Sequence, residues 1–520
     1  MKTANHNPLM QTRPDFARPI DTDKDKKDHL QRCFIFLGCG AFLCQFIAYN
    51  FVDIDLWHQM ALIRESLSAG HLLTTDPYAY TPTLPWIDHE WGAGALAFFS
   101  TKWLGSRAIV LLKFLTALGT GFFCVRCSEA RGANARILGM CAPLAIFLAY
   151  LGFLATIRAQ AYSFFLTALW LWFLALDSRG IRRWIIYALA IFPLWVNLHA
   201  GFIVAIALTG AHAVENLLRH QPARHLLLLM SAMFLEIFLN PYGAGYFRYL
   251  YRALTMARPY AAEWGTISSL GNAWIAAFVL SLLVAVYSVW SAGWARASGV
   301  LVLASAAVEA TLHRKLLPLF AIAWLCYVPS YLQATPVGTW WLEFTTRRAR
   351  FVSTAWIALT CICAVPIIRE KPWALSVPQP PYPVGAVRYL AKQRFAGNLL
   401  VPFESGAYVS WKLFPAVKVS LDSRYEVAFP DSVVTQVFDF YGARADWKSV
   451  LQAFPTDAVL IPVDASIAKL MPATNWQRVY ADQNFQICAR PGIILQTQIS
   501  QTQISQTQDW PSTSFQGEFP

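Results

Sequence analysis

The sequence predicts an α-helical bundle that crosses a membrane many times, followed by a small α/β domain outside the membrane. Of its 520 residues, 56% are hydrophobic and only 14% are charged, whereas a soluble domain keeps roughly a quarter of its residues charged. The apolar residues are gathered in runs, and about eleven of these approach or reach the roughly 17–25 residues of a spanning helix. Beyond residue 375 the long apolar runs stop, and short segments with strand and helix patterns replace them.

The membrane domain is predicted to extend over residues 33–371. Its first span follows the polar segment 1–32, which is longer than the charged start of a signal peptide. No small-residue cleavage site follows that span, so we expect a retained helix. The predicted spans are 33–51, 107–125, 136–153, 159–177, 184–198, 200–217, 225–240, 271–291, 297–311, 316–332 and 352–369.

Basic residues orient the predicted helices, because cytoplasmic loops are enriched in Lys and Arg. If segment 1–32 is cytoplasmic and the short apolar segment 90–104 lies on the outer surface, four basic clusters fall on the cytoplasmic side. If 90–104 crossed the membrane, the next of these clusters would lie outside. The pattern therefore favours eleven spans, with the loop 52–106 and the C-terminal region outside. The clusters are Arg126, Arg131 and Arg136; Arg179, Arg182 and Arg183; Arg219 and Arg224; and Arg347, Arg348 and Arg350.

The C-terminal region 372–492 is predicted to be a small extracytoplasmic α/β domain that begins after a proline-rich linker. Helical spacing occurs at 384–394 and at about 431–454, and strand patterns occur at 398–402, 417–421, 457–462 and 484–488. The tail 493–520 repeats the pentapeptide Gln-Thr-Gln-Ile-Ser and carries almost no charge. Such a segment cannot bury a core, so we expect it to be disordered.

The net charge and the cysteines raise two other classes of protein, those that bind nucleic acid and those that bind zinc, and the sequence favours neither. The net charge of +12 would suggest nucleic acid as a partner of a soluble protein, but here the arginines lie in short loops and no basic helix or aromatic reading surface occurs. Nucleic acid is therefore not expected as a partner. Most of the ten cysteines lie inside apolar runs and are typical of small core residues. Cys124 and Cys127 form a lone CxxC pair, which is a weak zinc signal.

The first outer loop, 52–106, is rich in carboxylates and histidines. It opens with Asp53 and Asp55 and continues through Asp76 to His89 and Glu90. Structural explanations exist for single residues, since Asp53 is suited to cap a helix and Asp76-Pro77 is a common turn. The apolar spacing of Leu56, Met60, Ile63 and Leu67 predicts a helix that lies flat on the membrane. For the loop as a whole we favour a functional site.

Several cations on the predicted outer side oppose the charge bias. Arg158 lies in one outer turn, and His313, Arg314 and Lys315 lie in another. An anionic ligand explains them, because Arg pairs with phosphate in a forked geometry. The alternative is that their side chains extend towards lipid headgroups.

Other polar residues lie at the outer ends of apolar runs. An ionisable residue near the membrane is a functional candidate, although a lone histidine such as His199 is more often a packing residue. Glu309, close to Arg314, belongs to the same group. The remaining candidates are Asn197, Asn240, Tyr242 and Glu263.

At these positions the chain resembles a group of bacterial multi-pass membrane proteins related to the GT-C glycosyltransferases, which include oligosaccharyltransferases, protein mannosyltransferases and aminoarabinose transferases. The resemblance covers most of residues 30–490. The motifs are Asp53-Ile-Asp55-Leu-Trp-His58, Thr75-Asp-Pro-Tyr78, Trp86 with His89-Glu-Trp91, Arg158-Ala-Gln160, Trp195-Val-Asn-Leu-His199, Asn240-Pro-Tyr-Gly243, Glu263-Trp264, Glu404-Ser-Gly-Ala-Tyr-Val-Ser-Trp411 and Val419-Ser-Leu-Asp-Ser-Arg424.

The resemblance implies a GT-C-like bundle in the bacterial inner membrane, with its N-terminus cytoplasmic and its C-terminal domain periplasmic. It implies a sugar donor linked to polyprenyl phosphate, a glycan, lipid or protein acceptor, and an acidic residue in the first outer loop that acts as catalytic base. Asp53, or else Asp55, would take the acceptor proton, and the reaction would invert the anomeric carbon. Asp422 and Arg424 are expected to form a salt bridge in the C-terminal domain.

The other candidates receive roles by their charge and position. Arg158, His313, Arg314 and Lys315 would bind the donor phosphate. Asp55 and His58, one helical turn apart, are candidates for a divalent metal, Mg or Mn, which some relatives use. The supporting or substrate-binding residues would be Asp76, His89, Glu90, Asn197, His199, Asn240, Tyr242 and Glu263.

Two other functions fit the same pattern. A transporter or flippase of a lipid-linked or anionic substrate predicts polar residues at mid-depth and an internal repeat. No such repeat is visible in the sequence. A non-catalytic envelope assembly protein is the third possibility.

Overall fold

The computed structural model describes residues 22–493, apart from 49, 154–157, 257–261, 295, 371–374, 376, 379 and 445, together with 498 and 499. It is mostly helical, with one small sheet near the C-terminus. The first helices are α1 (Thr22–Ile47), α2 (Ile54–Ala69), α3 (Trp91–Leu104), α4 (Arg107–Ala130), α5 (Ala135–Ala149), α6 (Ala159–Ser178), α7 (Trp184–Leu198), α8 (Ile203–Leu218), α9 (Arg224–Glu236) and α10 (Gly245–Thr255). The later ones are α11 (Asn272–Ala292), α12 (Val300–Leu312), α13 (Leu317–Leu332), α14 (Pro336–Arg347), α15 (Ala349–Glu370), α16 (Val384–Lys392), α17 (Phe403–Leu413), α18 (Tyr425–Ala428), α19 (Asp431–Tyr441) and α20 (Ser449–Ala453).

Eight helical segments in the described part of the chain are long and apolar enough to cross a membrane. They lie in α1, α4, α5, α6, α8, α11, α13 and α15, some of them extended by an adjoining 3-10 turn. The other three predicted spans also fall on helices, but α7, α9 and α12 have only 15, 13 and 13 residues. At 1.5 Å per residue these helices are about 20–22 Å long, which is less than the roughly 30 Å of a bilayer core.

The centre of the bundle is formed by α4, α6 and α13, and α13 also packs against α5, α11 and α12. Trp170 of α6 lies in an aromatic core with Trp184 and Trp195, and its Nε1 donates to Thr209 Oγ1 at 3.0 Å. The far end of α6 is fixed by the buried Asp177, which accepts a hydrogen bond from Trp184 Nε1 at 3.1 Å. One end of α6 is thereby tied to its neighbours, and the other end begins at Arg158.

The C-terminal domain contains a six-stranded mixed sheet in the order β2-β1-β3-β5-β4-β6. β1 is parallel to β2 and β3, β5 is antiparallel to β3 and β4, and β6 is parallel to β4. Four of these strands coincide with predicted ones, whereas β4 and β6 were not predicted. The strands are β1 (Gly397–Leu400), β2 (Val417–Val419), β3 (Ala458–Pro462), β4 (Gln477–Ala481), β5 (Phe485–Ala489) and β6 (Gln498–Ile499).

The first loop is attached to the edge of this sheet. Tyr80 N donates to Val419 O at 3.1 Å, and Val419 N donates to Tyr78 O at 3.0 Å, so residues 78–80 extend the sheet beyond β2. Thr81 Oγ1 donates to Ser420 O at 2.6 Å. The loop 52–106 and the C-terminal domain are therefore joined by backbone hydrogen bonds.

Helix α2 is enclosed by protein on two sides. It packs against α3 and against α17 of the C-terminal domain, and the ring of Trp57 meets that of Tyr408 at 5.0 Å. Leu56, Met60 and Ile63 are buried. The prediction that these residues lie flat on a membrane is therefore wrong, because α3 and α17 cover the apolar face that lipid was expected to cover.

Segment 90–104 corresponds to α3, a helix of 14 residues. A Cβ at Gly92 would lie 2.6 Å from Asn197 O, and one at Gly94 would lie 2.7 Å from Gln59 O. The two glycines thus allow α3 to approach α7 and α2 closely. The placement of α3 on the outer membrane surface remains a prediction.

The two ends of the chain lie largely outside the described residues. Of the polar segment 1–32, residues 22 onwards are described, and they already belong to α1. Of the predicted disordered tail, only residues 493, 498 and 499 are described, and the last two pair with β4.

Candidate active site

A cavity of about 1340 Å³ lies between the bundle and the C-terminal domain. Its polar end is formed by loop 52–106, by the start of α6, and by Glu263, His313 and Lys315, and the C-terminal domain covers it with Phe403, Glu404 and residues 423–427. Its other end is apolar and extends along α6 to Leu171, twelve residues into the helix. That apolar end is lined by Phe164, Leu171, Ile203, Val204, Leu208, Leu250, Leu254, Leu319 and Ala323.

An ion cluster occupies the polar end. Arg158 approaches Asp53 Oδ2 at 3.2 Å, Asp55 Oδ2 at 2.8 Å and Glu263 Oε2 at 3.3 Å, and Lys315 contacts the other oxygen of Glu263. Three carboxylates thus face two cations. Because the cluster joins the first loop, the start of α6 and the turn before α13, it can form only in the folded bundle.

The local sequence explains the positions of Asp53 and Arg158 in the cluster. Asp53 is the N-cap of α2, with extended backbone, and its Oδ1 accepts a hydrogen bond from Asp55 N at 3.0 Å. An aspartate is well suited to this position because it satisfies a free helical N–H group. Arg158 precedes the first turn of α6. Two helix N-termini therefore direct their flanking side chains towards one point.

Burial and neighbouring charges shift the pKa values of Asp53, Arg158 and Glu263. Burial raises the pKa of Asp53 from 3.8 to about 6, Arg158 opposes that rise and the neighbouring Asp55 adds to it. Asp53 and the other carboxylates hold the pKa of Arg158 well above its usual value. Burial alone would raise the pKa of Glu263, but Lys315 and Arg158 outweigh it and lower that pKa to about 2. The pKa of Asp53 therefore lies closer to neutral pH than that of Glu263.

A second polar group surrounds Glu90. Glu90 accepts a hydrogen bond from Gln59 Nε2 at 2.6 Å, and its Oε1 lies 3.4 Å from His89 Nε2 and 3.5 Å from His199 Nε2. His199 Nδ1 accepts from Gly201 N at 2.9 Å, so its proton is on Nε2 and points to Glu90. Burial alone would raise the pKa of Glu90, but the facing histidines hold it far below its usual value. Glu90 is therefore a fixed negative charge.

The C-terminal domain covers the polar end of the cavity. Arg424 forms salt bridges with Asp422 and with Asp76 of the first loop, and its guanidinium lies 5.1 Å from the ring of Trp86. The predicted Asp422–Arg424 salt bridge is thus observed. His58 Nδ1 lies 2.7 Å from Ser423 Oγ. These contacts connect the C-terminal domain to the same loop that carries Asp53.

Ten of the residues that were given a catalytic, phosphate-binding, metal-binding or supporting role line the cavity and five do not, and the candidate Glu309 also lines it. Arg314 donates to Ser269 Oγ at 3.2 Å and lies apart from the ion cluster. The amide of Asn197 bonds to Trp91 Nε1 and to the carbonyls of Pro193 and Leu239, and that of Asn240 bonds within its own turn. Those that line the cavity are Asp53, Asp55, His58, His89, Glu90, Arg158, His199, Glu263, His313 and Lys315; Asp76, Asn197, Asn240, Tyr242 and Arg314 do not.

The two candidate metal ligands each have a protein partner in the structure. Asp55 Oδ2 is taken by Arg158, and His58 Nδ1 is taken by Ser423. In the part of the chain that the structure describes, no three His, Cys, Asp or Glu side chains lie close enough together to hold one ion. Metal binding by Asp55 and His58 stays a prediction.

Sequence reasoning missed several residues of the site. Gln59 does not line the cavity but donates to Glu90, and it follows Asp55 by one helical turn, so its position on the same face of α2 was visible in the spacing. Burial raises the pKa of Asp88 to about 6, and this carboxylate lies beside the chosen His89. Glu426 and Tyr425 gave no comparable signal, because they reach the cavity only through the contact between the C-terminal domain and the first loop.

The chain matches no protein-family model and no curated protein.

Proposed function

We propose that this protein is a membrane glycosyltransferase that moves a sugar from a polyprenyl-phosphate-type donor to an acceptor, with inversion at the anomeric carbon. The observation that carries the proposal is the two-part wall of the cavity, which has a charged end under the C-terminal domain and an apolar end inside the bundle. A substrate with a polar sugar phosphate and a long apolar tail matches both ends. The motif resemblance to GT-C proteins points to the same class.

Asp53 is the proposed general base. With its pKa raised to about 6, it is mainly ionised at pH 7 yet more basic than an ordinary aspartate, which suits proton abstraction. It takes the proton of the acceptor hydroxyl while the acceptor oxygen bonds to the anomeric carbon. The bond from that carbon to the lipid phosphate oxygen breaks, and the phosphate leaves with the electron pair.

Lys315 and Arg158 are the proposed partners of the leaving phosphate. Both are held by Glu263 in the structure, so an incoming phosphate competes with that carboxylate. Before the phosphate binds, Glu263 holds both cations in position. It also provides them with a counter-charge, because a buried cation without one would be unfavourable. His313 lies on the same side of the cavity. Arg314 points to Ser269 and has no role in this scheme.

We further propose that α7, α9 and α12 cross the membrane with the eight longer helices, which gives eleven spans in a GT-C-like bundle. Their lengths of about 20–22 Å require help from flanking turns or a locally thinner bilayer. The four basic clusters then lie in the cytoplasm, and the cavity and C-terminal domain lie in the periplasm of a bacterial inner membrane. A periplasmic reporter fused after Pro380 should be active, and activity only of a cytoplasmic reporter would reverse this orientation.

The experiment is a comparison of glycolipids and glycans in a deletion strain that carries the wild-type protein or Asp53→Asn. The expected result is loss of one glycosylated product and accumulation of its lipid-linked donor with the variant, while insertion in the membrane is unchanged. Asp439→Asn is the matched control, because Asp439 pairs with Arg444 on the surface of the C-terminal domain, away from the cavity.

The outcome also separates the rival functions. Full activity of Asp53→Asn would refute the assignment of the base. A donor that accumulates on the cytoplasmic side of the membrane in the deletion strain would indicate a transporter. An unchanged glycolipid and glycan profile in the deletion strain would leave only an assembly role and would overturn the proposal.

A further inference from the structure

A second pocket lies at the opposite end of the bundle from the cavity. It has a volume of about 680 Å³ and is formed by α1, by the ends of α4 and α6, and by the start of α5. Arg158 precedes α6 at the cavity and Arg179 follows it at this pocket. Because α6 has 20 residues, the two sites are about 30 Å apart, which is the thickness of a bilayer core.

The pocket is strongly basic. Among the described residues, four arginines and one carboxylate, Glu129, line it. Glu129 contacts Arg32 and lies 3.2 Å from Arg126. Arg136 donates to Gln31 Oε1 and to Thr346 Oγ1, and Arg179 has no carboxylate partner among the described residues. Within the described part of the chain, one carboxylate cannot balance the guanidinium groups of Arg32, Arg126 and Arg179, so the pocket attracts an anion.

The buried side-chain amide of Gln31 indicates that a ligand of this pocket carries a hydrogen-bond acceptor. Gln31 is only 3% exposed, its Oε1 is taken by Arg136, and its Nε2 has no acceptor among the described residues. Burying such a donor without an acceptor is unfavourable. A ligand oxygen in the pocket would accept from Gln31 Nε2 while the arginines neutralise its charge. Phosphate oxygens meet both requirements.

One wall of the pocket is apolar. Ile35, Trp172 and Leu176 line it, and the guanidinium of Arg126 lies 6.0 Å from the ring of Trp172. These residues continue into the faces of α1 and α6, so a ligand with an apolar part has a surface to follow. A small soluble phosphate would leave this wall uncovered.

We propose that this pocket binds the phosphate group of an anionic lipid headgroup. The phosphate lies among Arg32, Arg126, Arg136 and Arg179 and accepts the hydrogen bond of Gln31, and the glycerol and first acyl carbons lie against Trp172. Basic pockets between helices are a known means of lipid recognition. The site is independent of the transfer reaction, because it shares no residue with the cavity.

The test is thermal unfolding of the full-length protein in mild detergent with added lipid. Phosphatidylglycerol should raise Tm, phosphatidylcholine should not, and added salt should reduce the shift because it screens the charges. The double variant Arg126→Gln with Arg179→Gln should lose at least half of the shift. Arg347→Gln is the control at the same end of the bundle, because Arg347 pairs with Glu343 outside the pocket.

A second arm uses glycerol phosphate in place of lipid. A shift with phosphatidylglycerol alone supports the lipid headgroup. An equal shift with glycerol phosphate assigns the pocket to a soluble phosphate ester and overturns the lipid. Equal phosphatidylglycerol shifts in the wild-type protein and the double variant would place lipid binding elsewhere. If the double variant unfolds without lipid at a lower temperature, Gln31→Leu provides the second test, since it removes the amide donor without a change of charge.

Discussion

Replacement of Asp53 by asparagine should slow transfer strongly and yet leave the protein as stable as before, or more so. In the folded protein the pKa of Asp53 is raised from 3.8 to about 6, chiefly by burial. Since one pKa unit corresponds to about 1.4 kcal/mol, keeping this carboxylate ionised at pH 7 costs the folded state about 3 kcal/mol. Asparagine has the same shape and no charge, so it avoids that cost.

Two structural roles of Asp53 survive the change. Asparagine is as good an N-cap as aspartate, so the hydrogen bond from Asp55 N that starts α2 is kept. Arg158 retains Asp55 at 2.8 Å and Glu263 at 3.3 Å, so it is not left without a counter-charge. The transfer rate should nevertheless fall about 10²–10⁴-fold, which is the usual contribution of a general base.

The stability difference should depend on pH in a defined direction. The pKa of Asp53 is higher in the folded state than in the unfolded state, so its ionisation opposes folding only above the unfolded pKa. The advantage of Asp53→Asn should be complete above pH 6, shrink as the pH falls through 6 and disappear near pH 4. Thermal unfolding in detergent between pH 4 and 8 measures this, with Asp439→Asn as the control. A variant that unfolds at a lower temperature than the wild type at pH 7 would refute the reasoning and make Asp53 a structural residue.

Three further outcomes are expected. The rate of transfer should rise about tenfold from pH 5 to 7 with a midpoint near 6, because Asp53 must be ionised to act; a rate independent of pH over this range would count against this base. Arg424→Met should lower the free energy of unfolding by about 3–5 kcal/mol, because Asp76 and Asp422 are left buried without a cation; urea denaturation measures this, and Arg444→Met should change little. Gly94→Val should separate α3 from α2, since its Cβ would lie 2.7 Å from Gln59 O, and should reduce both Tm and activity; wild-type values for both would show that α2 and α3 tolerate the added side chain.

The composition and the apolar runs were sufficient to predict a helical bundle with a small C-terminal sheet. Apolar runs mark helices regardless of their neighbours, because lipid requires the same property of every span. The bias of basic residues also singled out Arg158 and Lys315, and the structure brings both to the carboxylates Asp53 and Glu263. Basic residues on the side of the membrane where they are not expected therefore pointed to the ion cluster.

The direction of single side chains could not be predicted in the same way. Arg314 and Lys315 are adjacent in one 3-10 turn, yet Lys315 reaches Glu263 and Arg314 turns to Ser269. Consecutive residues of a tight turn point in different directions, and charge bias does not tell them apart. Asp76 was expected in the site, but its partner Arg424 lies 348 positions away. No local pattern reveals a pair so distant in the sequence.

Because residues 78–80 pair with the edge of β2, the first loop can finish folding only after the C-terminal domain has been synthesised. Thr81 and its acceptor Ser420 are 339 positions apart. At 5–20 residues per second, the ribosome needs roughly 17–70 s to synthesise the intervening chain. During that interval the loop that carries Asp53 lacks the strand against which it folds. A chain that terminates early, even after all its apolar helices have been made, would therefore enter the membrane without an assembled site.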